Sequence, residues 1–139
     1  MSYTSEFVES IEKPGQFWKR QSNKISWFQS PENILTKDEH GFYQWFKGGT
    51  LNTCYLALDK HVATGRGSQA ALIYDSPVTN QKQTFTYDQL LDQTALFAGA
   101  LANLGVVKGD RIIIYMPMIP EAVIAMLASA RLGAIHSVV

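Results

Sequence analysis

Residues 105–139 read GVVKGDRIIIYMPMIPEAVIAMLASARLGAIHSVV, and this stretch decides the fold. The apolar run at 111–115 is typical of a strand that is buried on both faces, as the strands of parallel sheets are. Pro120 stands where a helix would have its first residue, and Gly133 is suited to ending that helix. The residues at 135–139 then predict a second strand. The stretch therefore predicts a βαβ unit.

The sequence before this unit predicts a β-hairpin followed by a long helix. Two short apolar runs, at 70–74 and 83–86, flank a polar loop. Thr86 and Gln89 have the spacing of a capping box, which opens a helix that ends near Gly105. The helix has an apolar stripe that we expect to pack against a sheet, made of Leu90, Phe97, Leu101 and Leu104.

The first 65 residues have a different character, since 11 of the 16 aromatic residues lie in the first 60. Aromatic rings alternate there with short polar runs and breakers, which predicts an arm of short helices and loops anchored by rings. Residues 52–62 could form a helix that ends at Gly65. We therefore divide the chain into an aromatic-rich leader, 1–65, and the start of a larger layered α/β domain, 66–139.

Composition excludes several classes of protein. Twelve basic residues balance twelve acidic ones, and no basic patch is interleaved with aromatics, which disfavours nucleic-acid binding. No targeting segment or apolar run long enough for a bilayer is present, so we expect a cytoplasmic protein without a membrane partner. The lone Cys54 excludes an internal disulfide, forms no zinc-site spacing, and is expected to be a buried apolar residue.

No residue in the sequence qualifies as catalytic, cofactor-binding or metal-ligating. The glycine-rich stretches at 48–50 and 65–67 lack the spacing of phosphate-binding loops, and we interpret both as turns. His136 has no acidic or nucleophilic partner in the pattern, so we expect it to be a packed sheet residue. His61 and Asp59 lie too close along one helix to face each other, which favours a solvated face.

Several motifs closely resemble the short-chain acyl-CoA synthetases, which are AMP-forming, adenylate-forming enzymes. They are KGDR at 108–111, YMPMIPE at 115–121 and ARLGAIHSVV at 130–139. WFKGGTLN at 45–52 and LDKH at 58–61 resemble the leader of acetate and propionate CoA ligases. Within that family, ALIYDSPVT at 71–79 is more similar to the propionate ligases.

The resemblance implies the N-terminal portion of a ligase that joins propionate to CoA through an acyl-adenylate. ATP, Mg²⁺ and CoA would serve the full-length parent. The family's phosphate loop ending in Pro-Lys-Gly, its magnesium ligand and its C-terminal lysine have no counterpart in this sequence. Because phosphoryl chemistry needs such positioned groups, we expect these 139 residues alone to be inactive and to act as a scaffold.

Two alternatives stay open at this point. An acetate CoA ligase differs in substrate by one methylene, whose pocket the sequence does not include. A protein of another class, a free-standing interaction module, would use the aromatic arm as a binding face. We also expect self-association through the apolar strands at 111–115 and 135–139, because an unpaired strand edge recruits partners.

Overall fold

The computed structural model describes residues 2–139. The chain forms two compact units, Met1–Leu51 and Asn52–Val139. The boundary between these compact units lies at residue 51. The predicted division near residue 65, into an aromatic-rich leader and the start of an α/β domain, stays a prediction.

The first unit begins with two helices, α1 (Tyr3–Glu12) and α2 (Pro14–Ser22). Ser2 caps α1 by accepting a hydrogen bond from the Ser5 backbone, and Pro14 takes the first position of α2. Arg20 ties the two helices together, because its guanidinium donates to Glu9 at 2.6 and 2.8 Å and to Glu6 at 3.1 Å.

A hairpin follows where the sequence predicted only loops, so that part of the prediction was wrong. Strands β1 (Asn33–Lys37) and β2 (Tyr43–Lys47) pair antiparallel. The Asp38 carboxylate accepts hydrogen bonds from two backbone amides of the turn, and Gly41 supplies a φ of 83°. The hairpin lacks a strict alternation of apolar and polar residues, which is the signal that identifies strands in a sequence.

The second unit opens with a helical segment that contains two π-helical turns, π1 (Tyr55–Asp59) and π2 (Val62–Arg66). The predicted helix is therefore confirmed, in a wider form than an α-helix. Gly65 ends the regular geometry with a φ of 82°. Leu58 of π1 and the adjacent Cys54 are buried in a core with Leu90 and Ile124.

The predicted hairpin and long helix are both present. Strands β3 (Ala70–Ser76) and β4 (Gln81–Thr86) pair antiparallel and lead into α3 (Tyr87–Asn103). The capping box is confirmed. The backbone N–H of Gln89 donates to Thr86 Oγ1 at 3.2 Å, and the backbone N–H of Thr86 donates to the side-chain oxygen Oε1 of Gln89 at 2.9 Å.

The predicted stripe of α3 is only partly right. Leu90 is buried, but Leu104 is 82% exposed. The face of α3 that is buried carries Leu90, Thr94 and Ala98. Small side chains on this face let a neighbouring helix approach closely, which an apolar pattern does not reveal.

The βαβ unit is confirmed. Strands β5 (Arg111–Ile114) and β6 (Ile135–Val138) pair in parallel, and α4 (Pro120–Leu132) connects them. Gly133 adopts the left-handed conformation with a φ of 72° and caps α4.

Burial of both faces of these strands is not observed. Ile114 is 2% exposed, whereas Ile113 is 72% exposed and Ile135 is 60% exposed. Because neighbouring residues of a strand point to opposite faces, one face of the β5–β6 sheet is bare. Self-association through these strands stays a prediction. Across residues 2–139, no helix is long and apolar enough to span a membrane.

The buried Thr94 generates a stability prediction. Its side chain is fully buried in α3 and its hydroxyl has no hydrogen-bond partner. An unsatisfied buried hydroxyl destabilises a protein by about 1–3 kcal/mol. We expect Thr94→Val to raise the free energy of unfolding by about 1 kcal/mol in urea titrations.

Thr86→Val is the matched control, because the same substitution there removes the helix cap and should lower the free energy of unfolding by about 1 kcal/mol. A Thr94→Val chain that is less stable than the original would contradict the prediction.

Candidate functional site

The strongest polar cluster of the second unit joins the first helical segment to the end of α4. Arg131 Nη1 donates to Asp59 Oδ2 and Nη2 donates to Asp59 Oδ1, each at 2.9 Å. Arg131 also lies 3.6 Å from the Sγ of Cys54. We call Asn52, Cys54, Asp59 and Arg131 the clasp. The ion pair between Asp59 and Arg131 is bidentate, which is the geometry in which an arginine binds a carboxylate most strongly.

Asn52 serves both helices that the clasp connects. Its Nδ2 donates to the backbone oxygens of Ala130 and Arg131, at 2.9 and 3.2 Å. Its Oδ1 accepts from the Tyr55 amide at 3.1 Å. One side chain thus satisfies carbonyls at the end of α4 and an amide at the start of π1, groups that helix ends leave without partners.

The environment of the clasp shifts the pKa values of Arg131 and Cys54. The hydrogen bonds to Asp59 raise the pKa of Arg131 above its usual value, so the guanidinium stays charged. Burial raises the pKa of the Cys54 thiol, and the nearby guanidinium offsets this only in part. The reactive form of cysteine is the thiolate, so a buried neutral thiol is a packing group rather than a nucleophile. The prediction that Cys54 is buried is confirmed.

The sequence analysis missed the clasp. Asp59 was expected on a solvated face, which is wrong, because its side chain is only 24% exposed and is paired. Asp59 and Arg131 lie 72 positions apart, so no local spacing connects them. His61 does lie apart from Asp59, with its Nδ1 3.1 Å from Arg66 and its ring 4.8 Å from that of Tyr87.

The other residues that the sequence singled out carry no site. His136 is exposed on β6, so its predicted packing is wrong. Among residues 2–139, β5 is the only strand that pairs with β6, which leaves β6 at an edge of the sheet. The turn predicted at 48–50 is confirmed, since Gly48 has a φ of 80°. The stretch at 65–67 lies at the end of π2, where Gly65 leaves the helical conformation with a φ of 82° and the turn begins only at Gly67.

Within residues 2–139, no three His, Cys, Asp or Glu side chains lie close enough to hold a metal ion. The carboxylates of Asp59 and Glu9 both accept hydrogen bonds from guanidinium groups. Every hydrogen bond of the clasp joins two parts of this chain, so the clasp connects the first helical segment to the end of α4.

The clasp predicts strong energetic coupling between its charged members. We expect Asp59→Asn and Arg131→Gln each to destabilise the chain, and the double variant to be more stable than the sum of the single effects predicts. The coupling in urea unfolding should be roughly 1–3 kcal/mol, as for hydrogen bonds to charged groups.

The ion pair of Asp75 with Lys82 provides the control, because it is short, at 2.7 Å, but exposed. Its coupling should be below about 1 kcal/mol. Equal couplings for the two pairs would show that partial burial of the clasp adds nothing.

Comparison with known families gives two consecutive matches. Residues 3–57 match the model described as acetyl-coenzyme A synthetase N-terminus, and residues 59–139 match the model described as AMP-binding enzyme. The second match alone covers more than half of the chain.

Individual relatives agree with these matches. Acyl-CoA synthetase short-chain family member 3, mitochondrial, of Homo sapiens is 46% identical over 99% of this chain and 20% of its own length. Acetyl-coenzyme A synthetase of Campylobacter jejuni is 52% identical over 88% of this chain and 19% of its own length.

Acetoacetyl-CoA synthetase from Streptomyces lividans superimposes with a TM-score of 0.88 and 31% identity, over 100% of this chain and 21% of that one. The chain thus spans about a fifth of the length of the proteins it matches. With acyl-CoA synthetases as its relatives in both sequence and fold, the chain belongs to the AMP-binding enzyme family.

Proposed function

We propose that the chain is the N-terminal portion of an AMP-forming ligase that converts propionate, ATP and CoA to propionyl-CoA, AMP and pyrophosphate. The observation that carries this proposal is the pair of adjoining family matches, an acetyl-coenzyme A synthetase N-terminus followed directly by an AMP-binding enzyme. ATP, Mg²⁺ and CoA would be used by the full-length parent. We further propose a cytoplasmic location, based only on the sequence.

The role of this portion is to support the parent's active site from outside it. In open parallel sheets, ligands bind at the carboxyl ends of the strands, which in this unit are the ends of β5 and β6. The clasp fixes the end of α4, and the chain passes from there through Gly133 directly into β6. Because the start of β6 is held rigidly, the backbone at the carboxyl end of β6, at the ligand-binding edge, should also have a fixed position.

The preference for propionate rests on the resemblance of residues 71–79 alone. These residues form most of β3 and the turn after it, and Val78 in that turn is 93% exposed. These residues therefore carry the sequence resemblance to the propionate ligases and do not form an acyl-binding pocket. Acetate is the alternative substrate, and the identity with an acetyl-coenzyme A synthetase supports it. One methylene provides only about 1–3 kcal/mol of discrimination.

The isolated chain should lack catalytic activity. With ATP, Mg²⁺ and propionate, we expect no release of pyrophosphate above background, and no ATP binding at low micromolar concentration by calorimetry. The physical reason is that the family's phosphate loop ending in Pro-Lys-Gly, and its other groups that bind phosphate charge, have no counterpart in this sequence. Stoichiometric pyrophosphate release by the 139-residue chain would contradict this expectation.

The full-length parent should prefer propionate to acetate. We expect kcat/KM for propionate to exceed that for acetate by a modest margin, roughly 10-fold, because one methylene gives little discrimination. Butyrate serves as the control, because a pocket that favours any longer acyl chain would give butyrate a higher kcat/KM than propionate. A higher kcat/KM for acetate would assign the parent to the acetate ligases, and failure with all short acids would overturn the proposed function.

A further inference from the structure

A cluster at the end of the first helical segment places a histidine beside an arginine and an aromatic ring. The Nδ1 atom of His61 lies 3.1 Å from Nη1 of Arg66. The rings of His61 and Tyr87 have centroids 4.8 Å apart, and the guanidinium carbon of Arg66 lies 5.3 Å from the centre of the same Tyr87 ring. Arg66 also donates from Nε to Oε1 of Gln69 at 2.8 Å. We call His61, Arg66, Gln69 and Tyr87 the latch.

The contact between Arg66 and His61 requires a neutral imidazole. A guanidinium has only N–H donors and no acceptor, so Nδ1 of His61 is the acceptor of this hydrogen bond. A ring nitrogen accepts only while its lone pair is free, which places the single ring proton on Nε2. A proton that binds to Nδ1 occupies that lone pair, and the hydrogen bond to Arg66 is lost.

Protonation of His61 also brings two cations to one aromatic ring. A cation is attracted to the face of a tyrosine ring when it lies within about 6 Å of the ring centre. The Arg66 guanidinium and the His61 ring both meet this distance from Tyr87. After protonation, two positive charges lie about a hydrogen-bond length apart and repel each other. Arg66 is exposed, so its side chain is the one that can move into solvent.

The charged groups around His61 come from its own segment and from α3. Lys60 precedes it in the chain, and Asp59 is already bound in the clasp. On α3, the carboxylate of Asp88 lies against Gly67, because a Cβ at that glycine would collide with both carboxylate oxygens. Since that glycine follows the arginine of the latch directly, an anion lies near a guanidinium that leaves His61.

We propose that the latch is a pH-sensitive switch, in which Arg66 is held over Tyr87 while His61 is neutral and is released when His61 binds a proton. Histidine is the side chain whose charge ordinarily changes between about pH 5 and 8. The latch is therefore closed at the alkaline end of this range and opens as the pH falls. This inference concerns a contact within the chain and does not depend on the proposed function.

The latch covers a junction between π2 and the first turn of α3. The Tyr87 amide donates to the backbone oxygen of Gln69 at 3.0 Å. The Asp88 amide donates to the backbone oxygen of Gly67, also at 3.0 Å. The ring of Tyr87 packs against the buried core. Release of the guanidinium should expose these two amides to solvent while the core stays folded, because contacts at the surface contribute little to global stability.

NMR titration of the 139-residue chain between about pH 8 and about pH 5.5 tests the proposal. The Tyr87 ring should shift the Cδ proton signals of Arg66 at the higher pH. These signals should move to the positions of a free arginine with the same midpoint as the ring signals of His61. Over this range the hydrogen-exchange protection factors of the Tyr87 and Asp88 amides should fall severalfold, whereas that of the buried Ala98 should stay unchanged.

Two substitutions at His61 separate the effect of its charge from the effect of its shape. His61→Gln leaves a neutral acceptor at every pH, so the latch should stay closed and the pH response should vanish. His61→Lys carries a positive charge throughout, so the latch should be open already at the higher pH. His40→Gln and His136→Gln, at the two other histidines, are the matched controls and should leave the response of Arg66 unchanged.

Either of two results would overturn the proposal. One is an Arg66 side chain whose signals do not follow the titration of His61. The other is a response that persists in His61→Gln, which would assign it to another titrating group. If His61→Lys failed to fold, circular dichroism would show it, and the comparison of His61→Gln with the original chain would still decide.

Discussion

The second unit depends on one long-range interaction, the ion pair of Asp59 with Arg131. The pair bridges 72 positions of sequence and brings the first helical segment to the end of α4. Closing a loop of this length costs conformational entropy, and the formation of local helices does not compensate for that cost. The hydrogen bonds of Asn52 and the packing of Leu58 add to the ion pair at the same junction. Together they fix where α4 ends, and hence where β6 begins.

Local signals predicted the elements whose causes are local. The capping box at Thr86, the proline that opens α4 and the left-handed Gly133 each depend on a few neighbouring residues, and each is present. The clasp, in contrast, joins side chains from distant segments that have no shared period. The β1–β2 hairpin falls between these cases, because its turn depends on the Asp38 side chain while its strands lack alternation.

Helix α3 shows why an apolar pattern leaves the packing face undecided. Leucines and alanines surround most of the helix, and the stripe of large residues is the natural prediction for the core. The structure instead buries Thr94 and Ala98 and exposes Leu96 and Leu104. Close approach of α4 favours small side chains, and the larger ones are left on the opposite side.

The two bare apolar surfaces of the second unit differ in how they would be covered. The β5–β6 sheet presents a face with Ile113 and Ile135 next to a strand edge whose backbone groups are unpaired. A strand edge adds further strands without a limit, so contacts made there tend to grow. A helix has already paired its backbone groups, and a two-fold contact between helices is complete with two copies. Exposed side chains on a helix, such as Leu96 of α3, offer no such edge, whereas association through the sheet would continue with concentration.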